Sequence, residues 1–374
     1  MISGNTLRLG RVLGVEIKLD YSWFIVFVLV TVSLSGQVFP SMYAGWSRSA
    51  YWLLGALTSL LFFASVVGHE LAHSVVSQAY GVPVHDITLF IFGGAAHISE
   101  EPKTARAELW MSLAGPGTSL AIAAVLGLLA LLSRNASPYL AAVSTWLAGI
   151  NGSLAVFNLI PGFPLDGGRV FRALIWGITG NLQRATRLAT GTGRLIAYGF
   201  VMVGVWQLFN GNWVNGLWIA FIGWFLESAA ASSYRRFTVR HVLAGHTARE
   251  VMSSECMLIP RSLTLDVFVE QIMLPSGRRC FPVQEDGRIR GLLTLHRIKE
   301  IPKERWSQTR VGDIMIPWAE LKSVRPDDEL NTVFDRMAAE DINQMPVVEG
   351  ESLLGMVARD NLLSFIHRRT ELGL

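Results

Sequence analysis

Over the first two thirds of the chain the apolar residues form long runs without charge. Over the last third they form short alternating ones. Tyr51 to Val67 is seventeen residues with no charged side chain. A helix that crosses a bilayer needs about 20 such residues. Six spans are predicted, at 21–35, 50–79, 107–132, 139–160, 192–209 and 213–231. Tyr21 and Trp23 open the first at interface depth, and 39–49, with Pro40, Tyr43 and Trp46, reads as an interfacial loop. Residues 7–18 alternate weakly around Gly10 and Gly14, a pattern that suits a short hairpin at the membrane surface. Residues 83–98 are β-rich, too short to span as a helix and broken by Gly93 and Gly94, so strands are predicted there. After the fourth span, Pro161, Gly162, Pro164, Gly167 and Gly168 cannot continue a helix. Irregular backbone at membrane depth survives only where protein buries it or where it lines a wet cavity.

Beyond a predicted linker at 235–247 the chain repeats itself. Cys280-Phe281-Pro282-Val283 matches Gln344-Met345-Pro346-Val347, 64 residues on. An amphipathic helix precedes each, at 265–274 and 329–339. Each half reads strand, helix, strand, strand, helix.

Composition agrees with this division. Of 374 residues, 51% are hydrophobic and only 16% charged, with a mean hydropathy of +0.38. Soluble proteins carry about 25% charged residues, so the chain is expected to be an integral membrane protein. A net charge of +3 is too small to argue for nucleic acid. With six spans, twelve Arg and Lys between Arg8 and Arg240 share one side, and only Arg48 and Arg134 reach the other. Positive residues stay inside, so both termini are expected in the cytoplasm. Cys256 and Cys280 form no disulfide framework and are read as reduced thiols.

The second span carries His69-Glu70-Leu71-Ala72-His73 towards its end. On a helix the two histidines lie at i and i+4, so both imidazoles point the same way. Such a pair can share one metal ion, most often Zn2+. Glu70 is placed to take a proton from a water on that metal. The alternative is a helix whose polar residues happen to match. Yet ionisable groups within a membrane span cost about 2.5–3.5 kcal/mol each on insertion scales and are functional by default.

Together with the later Asn158-Leu159-Ile160-Pro161-Gly162-Phe163-Pro164-Leu165-Asp166-Gly167, this helix resembles the site-2 protease family, zinc metalloproteases that cut substrates within the bilayer. The resemblance covers about residues 1–232. The repeat resembles a tandem pair of CBS domains over about 246–370, and the combination is similar to the CBS-bearing branch of that family. The fold implied is an α-helical polytopic membrane protein of about six transmembrane helices with a small membrane-associated β-sheet, followed by an α/β tandem CBS domain. Its parts would be a metalloprotease domain at 1–234, the linker at 235–247 and the CBS pair at 248–374, with repeats at about 248–305 and 310–370. The resemblance implies one Zn2+ per chain on His69, His73 and Asp166, with Glu70 moving the proton. It makes Asn158 the oxyanion donor. It also puts Gly93 and Gly94 in an edge strand that holds substrate extended; the alternative is a hairpin that packs only on its own protein.

The substrates implied are membrane proteins with a single transmembrane segment, already trimmed by another protease, in a prokaryotic cell membrane. Homodimerisation through the CBS domains is a further expectation. CBS pairs often bind adenine nucleotides through Gly-x-x-Thr-x-x-Asp, whose Asp holds the ribose. Here Gly291 and Thr294 are followed by Arg297, and Gly355 by Ala358 and Asn361, so the pattern carries no nucleotide site over to this chain. Two rival readings are a CBS-gated transporter or channel and a catalytically inactive homologue that binds membrane helices. A transporter should show interrupted spans in matching halves, and only one span is interrupted. The intact His69, Glu70, His73 and Asp166 argue against the inactive homologue.

Overall fold

The computed structural model describes residues 6–91, 93–98, 101–254, 256–276, 280–350 and 352–372. The chain divides into two compact units, Met1–Tyr234 and Arg235–Leu374.

In the first unit, β1 (Thr6–Val12) and β2 (Val15–Asp20) form the expected hairpin. Strand β2 then runs parallel to β3 (Val84–Phe90), which pairs antiparallel with β4 (Gly93–Ile98). The order is β1-β2-β3-β4, so β4 lies at an edge. The period of two divides β2 cleanly. Val15, Ile17 and Leu19 are buried, while Lys18 Nζ on the other face lies 3.3 Å from Asp86 and 3.6 Å from Glu16.

Six described helices are long and apolar enough to cross a membrane. The first joins α1 (Ser22–Ser33) to α2 (Phe39–Met42) through a π-helical turn at Leu34–Val38. The loop expected at 39–49 therefore starts only at Tyr43. Pro40 is the second residue of α2, which directly follows the π-helical turn. The others are α3 (Arg48–Ala79), α4 (Ala105–Ser133), α5 (Pro138–Asn158), α7 (Leu182–Phe209) and α8 (Trp213–Leu243). Ser47, Thr104, Ser137 and Asn181 cap four of them, each side-chain oxygen accepting from an orphan backbone N–H.

Two differences from the sequence reading matter. Helix α6 (Asp166–Thr179) begins where the glycines suggested irregular chain. A Cβ on Gly167 would strike the Leu159 and Ile160 carbonyl oxygens, and one on Gly168 would strike the backbone of Gly162 and Phe163. The glycine pair thus permits close approach rather than ending a helix. Helix α8 runs to Leu243, so the first part of the expected 235–247 linker is helical, and Leu243 is fully buried.

The second unit holds the two repeats. One sheet has the order β5 (Ile259–Pro260), β6 (Cys280–Glu285), β7 (Arg288–Thr294) and β8 (Ile316–Pro317); β9 (Gln344–Glu349) pairs with β10 (Ser352–Ala358). Phe281 and Val283 are buried in one core and their repeat partners Met345 and Val347 in another. In the helix Leu330–Ala339, Leu330, Val333 and Met337 fill the second core at helical spacing. Cys256 is half-buried, its Sγ 4.0 Å from the Ser253 carbonyl oxygen; the Cys280 side chain lies outside the described ones.

Candidate metal centre

Helix α3 buries one face over its length, and His69 and His73 lie on it at 4% and 6% exposure. That face meets α4, whose buried residues Glu108, Met111, Ser112, Gly115 and Ser119 form a single stripe. The contacts along the stripe orient both rings. The His73 Nδ1–H donates to the Met111 carbonyl oxygen at 2.6 Å, and His69 Nδ1 lies 2.9 Å from Ser119 Oγ. Between these two bonds sits Gly115. A Cβ there would lie 2.6 Å from His69 Nε2 and closer still to His73 Nε2.

With both Nδ1 atoms engaged, the Nε2 atoms turn inward to meet Asp166. His69 Nε2 and His73 Nε2 lie 3.2 Å apart, and Asp166 Oδ2 is 3.2 Å from the first and 3.1 Å from the second. A neutral imidazole has one N–H. The Met111 carbonyl claims that of His73, so its Nε2 offers only a lone pair. A lone pair and a carboxylate oxygen at 3.1 Å repel unless a cation or proton joins them. The donor set is also that of a catalytic zinc, which takes three protein ligands and keeps one position open. His69, His73 and Asp166 therefore fit zinc.

Glu70 is half-buried and touches β4: a Cβ on Gly94 would lie 2.5 Å from Glu70 Cγ and 3.0 Å from its Cδ. The edge strand thus runs against the carboxylate next to the histidines. Asn158 is the last residue of α5, half-buried, on the loop side that leads to Asp166. It is not one of the three groups that converge.

Several functional contacts had weak signals or none in the sequence. Ala114-Gly115-Pro116-Gly117 suggests close helix contact, but not that the contact is with the two histidines. Ser119 and the Met111 carbonyl carry no signal, since an isolated serine or a backbone oxygen has no pattern. In the second unit, Asp360 and Asn361 line a cavity of about 450 Å3 with Glu250, Ser253, Ser364 and Arg368. Arg297 instead donates to Glu300 at 3.4 Å.

Comparison with known proteins places this geometry. Peptidase family M50 matches residues 57–136 and 133–200, and the CBS domain matches 248–304 and 311–368. Rip3 of Mycobacterium tuberculosis, named as a candidate zinc metalloprotease, is 34% identical over 366 residues, covering 97% of this chain and 93% of its own. The Synechocystis protein sll0528, named in the same way, is 32% identical over 366 residues, covering 96% of this chain and 95% of its own. A solved site-2 protease from Methanocaldococcus jannaschii is 29% identical, with a TM-score of 0.41, covering 62% of this chain and 95% of that one. On the two family models and the length and identity of the Rip3 and sll0528 matches, the chain belongs to the M50 peptidases, the site-2 protease family, and is a membrane zinc metalloprotease that carries a pair of CBS domains.

Proposed function

We propose that this metalloprotease is an intramembrane endopeptidase with one zinc per chain, cutting the transmembrane segments of single-span membrane proteins in regulated intramembrane proteolysis. One observation carries the reading. His69 Nε2, His73 Nε2 and Asp166 Oδ2 converge within 3.2 Å of one another, and the two histidines belong to a helix long enough to span a membrane. A bound zinc supplies a Lewis acid that lowers the pKa of water from 15.7 to about 7. Glu70 accepts the proton of the attacking water and returns it to the leaving amine nitrogen. Asn158 donates to the oxyanion that develops on the scissile carbonyl.

A peptide bond inside a helix is shielded by its own hydrogen bonds, so the substrate must be unwound first. The β4 edge receives the unwound strand by β-addition. Without side chains, Gly93 and Gly94 let it lie close to Glu70. The distribution of basic residues supports both termini lying in the cytoplasm, and the bacterial origin of the relatives supports a prokaryotic cell membrane. Residues 1–234 form the protease, 235–247 the connection, and 248–374 a CBS pair that regulates or dimerises it.

The test is Glu70→Gln in the purified chain, with zinc content and cleavage of a model membrane substrate both measured. Loss of cleavage with zinc retained is expected; unchanged cleavage overturns the reading. Adding ATP or AMP to the same assay, with binding measured separately, tests regulation by nucleotides.

A further inference from the structure

One buried charge pair has no part in this chemistry. Glu108, in the first turn of α4, is fully buried and accepts from Arg172 Nε at 2.6 Å, with Arg172 Nη2 against the same oxygen. Arg172 is 6% exposed, and its guanidinium lies 5.2 Å from the centre of the Phe163 ring. Two ions so far from water are a costly way to join helices, and apolar residues of similar volume often hold as well or better. A role in packing alone does not account for the pair.

Its placement suggests what does. Glu108 lies one turn before Met111, on the stripe of α4 that orients His73 and His69. Arg172 belongs to α6, whose first residue is Asp166, and Phe163 lies in the loop just before it. From the other side α7 holds the same loop. Phe163 N donates to the Ala189 carbonyl oxygen at 3.3 Å, and Gly193 packs so tightly on Phe163 that a Cβ has no room. The start of α6 is thus held on its backbone by α7 and on its side chains by Glu108. Metal ligands must stand within about 0.2 Å of their ideal distances, a tolerance that a helix free to slide along its neighbour would exceed.

We propose that the Glu108–Arg172 pair is a positioning clasp for the third metal ligand. It registers α6 against α4, so that Asp166 meets the two imidazoles that the same face of α4 orients. The inference rests on Asp166 being a ligand, and the test separates the two claims.

Full-length protein in detergent micelles would be compared as wild type, Asp166→Ala, Glu108→Gln, Arg172→Lys and Thr31→Val. The last removes a buried hydrogen bond between α1 and α3, Thr31 Oγ1 to Ser59 Oγ at 3.0 Å, and serves as the packing control. Zinc affinity would be read by chelator competition, ligand geometry from the visible spectrum of the Co2+-loaded protein, and stability from the melting temperature. Glu108→Gln and Arg172→Lys are expected to weaken zinc about ten- to a hundredfold, the range for residues that orient ligands, and to shift the Co2+ bands. Thr31→Val is expected to lower the melting temperature and leave both unchanged. Should a single variant fail to fold because it strands a buried charge, Glu108→Leu with Arg172→Met leaves none and carries the same test.

The clasp is overturned if zinc affinity and the Co2+ spectrum match wild type in the clasp variants, or if Thr31→Val weakens zinc as much as they do. If Asp166→Ala binds zinc like wild type, the ligand reading itself fails. If Asp166→Ala loses zinc while the clasp variants keep it, only the clasp fails.

Discussion

One methyl group, added at Gly115, should remove the metal while leaving the fold almost intact. Its Cβ would lie 2.6 Å from His69 Nε2 and closer to His73 Nε2. Ordinary contact begins near 3.4 Å, so the His69 ring must retreat by about 0.8 Å and the His73 ring by more. Zinc–nitrogen distances tolerate about 0.2 Å. Neither ring can yield freely, because Ser119 and the Met111 carbonyl hold both from the same helix that carries the new methyl. Zinc affinity should therefore fall at least a hundredfold, beyond the ten- to hundredfold range of outer-shell changes.

The fold should lose much less. Overpacking costs about 1–3 kcal/mol, and alanine in place of glycine within a helix returns about 1 kcal/mol. A net loss of at most about 2 kcal/mol is expected. Zinc would be counted by mass spectrometry after dialysis against a graded chelator, with thermal unfolding measured on the same sample. A Gly115→Ala protein that holds zinc within twofold of wild type would show that the rings do not point where the structure puts them.

Gly94→Ala should act on the base instead. Its Cβ would lie 2.5 Å from Glu70 Cγ, so the carboxylate must turn away, and kcat should drop by about 10²–10⁴, the range for a positioned acid or base, with zinc content unchanged. Asn158→Ala should lower kcat by about 10²–10³, as loss of an oxyanion donor does; full activity would remove Asn158 from the site. Phe281 is 1% exposed and meets Phe268 edge to face, with ring centres 4.7 Å apart. Phe281→Ala should destabilise the first repeat by about 3–5 kcal/mol. Amides of β6 and β7 should then exchange faster in the full-length chain, with zinc content unchanged; equal exchange would refute this packing.

The elements that could be read ahead share a physical cause: their signal is local. Uncharged runs announce the spans because lipid gives a polar group no partner, and the i, i+4 spacing alone puts His69 and His73 on one face. The same locality explains what was missed. Gly167 and Gly168 look like a break when judged by propensity, yet their glycine character serves contact with Leu159, Ile160 and Gly162, and α6 begins there. Pro40 looks like a helix end, but it is the second residue of α2, which directly follows a π-helical turn. The start of α7 at Leu182, ten residues before the apolar run at 192, rests on the Asn181 cap and buried small residues such as Ala185 and Ala189.

By itself, then, the sequence determined the number of spans, the repeat at the C-terminal end, the two imidazoles on one face and the family they belong to. The resemblance already pointed to Asp166, but only the tertiary structure brought it, 97 residues from His69, within 3.2 Å of both imidazoles. Only it decided that α4 orients both rings and that a Cβ at Gly115 or Gly94 would strike the histidines or Glu70. Periodicity and charge act between neighbours in the chain. Contacts between membrane helices depend instead on how closely their backbones approach and which buried polar groups find partners, and those are properties of the packed whole.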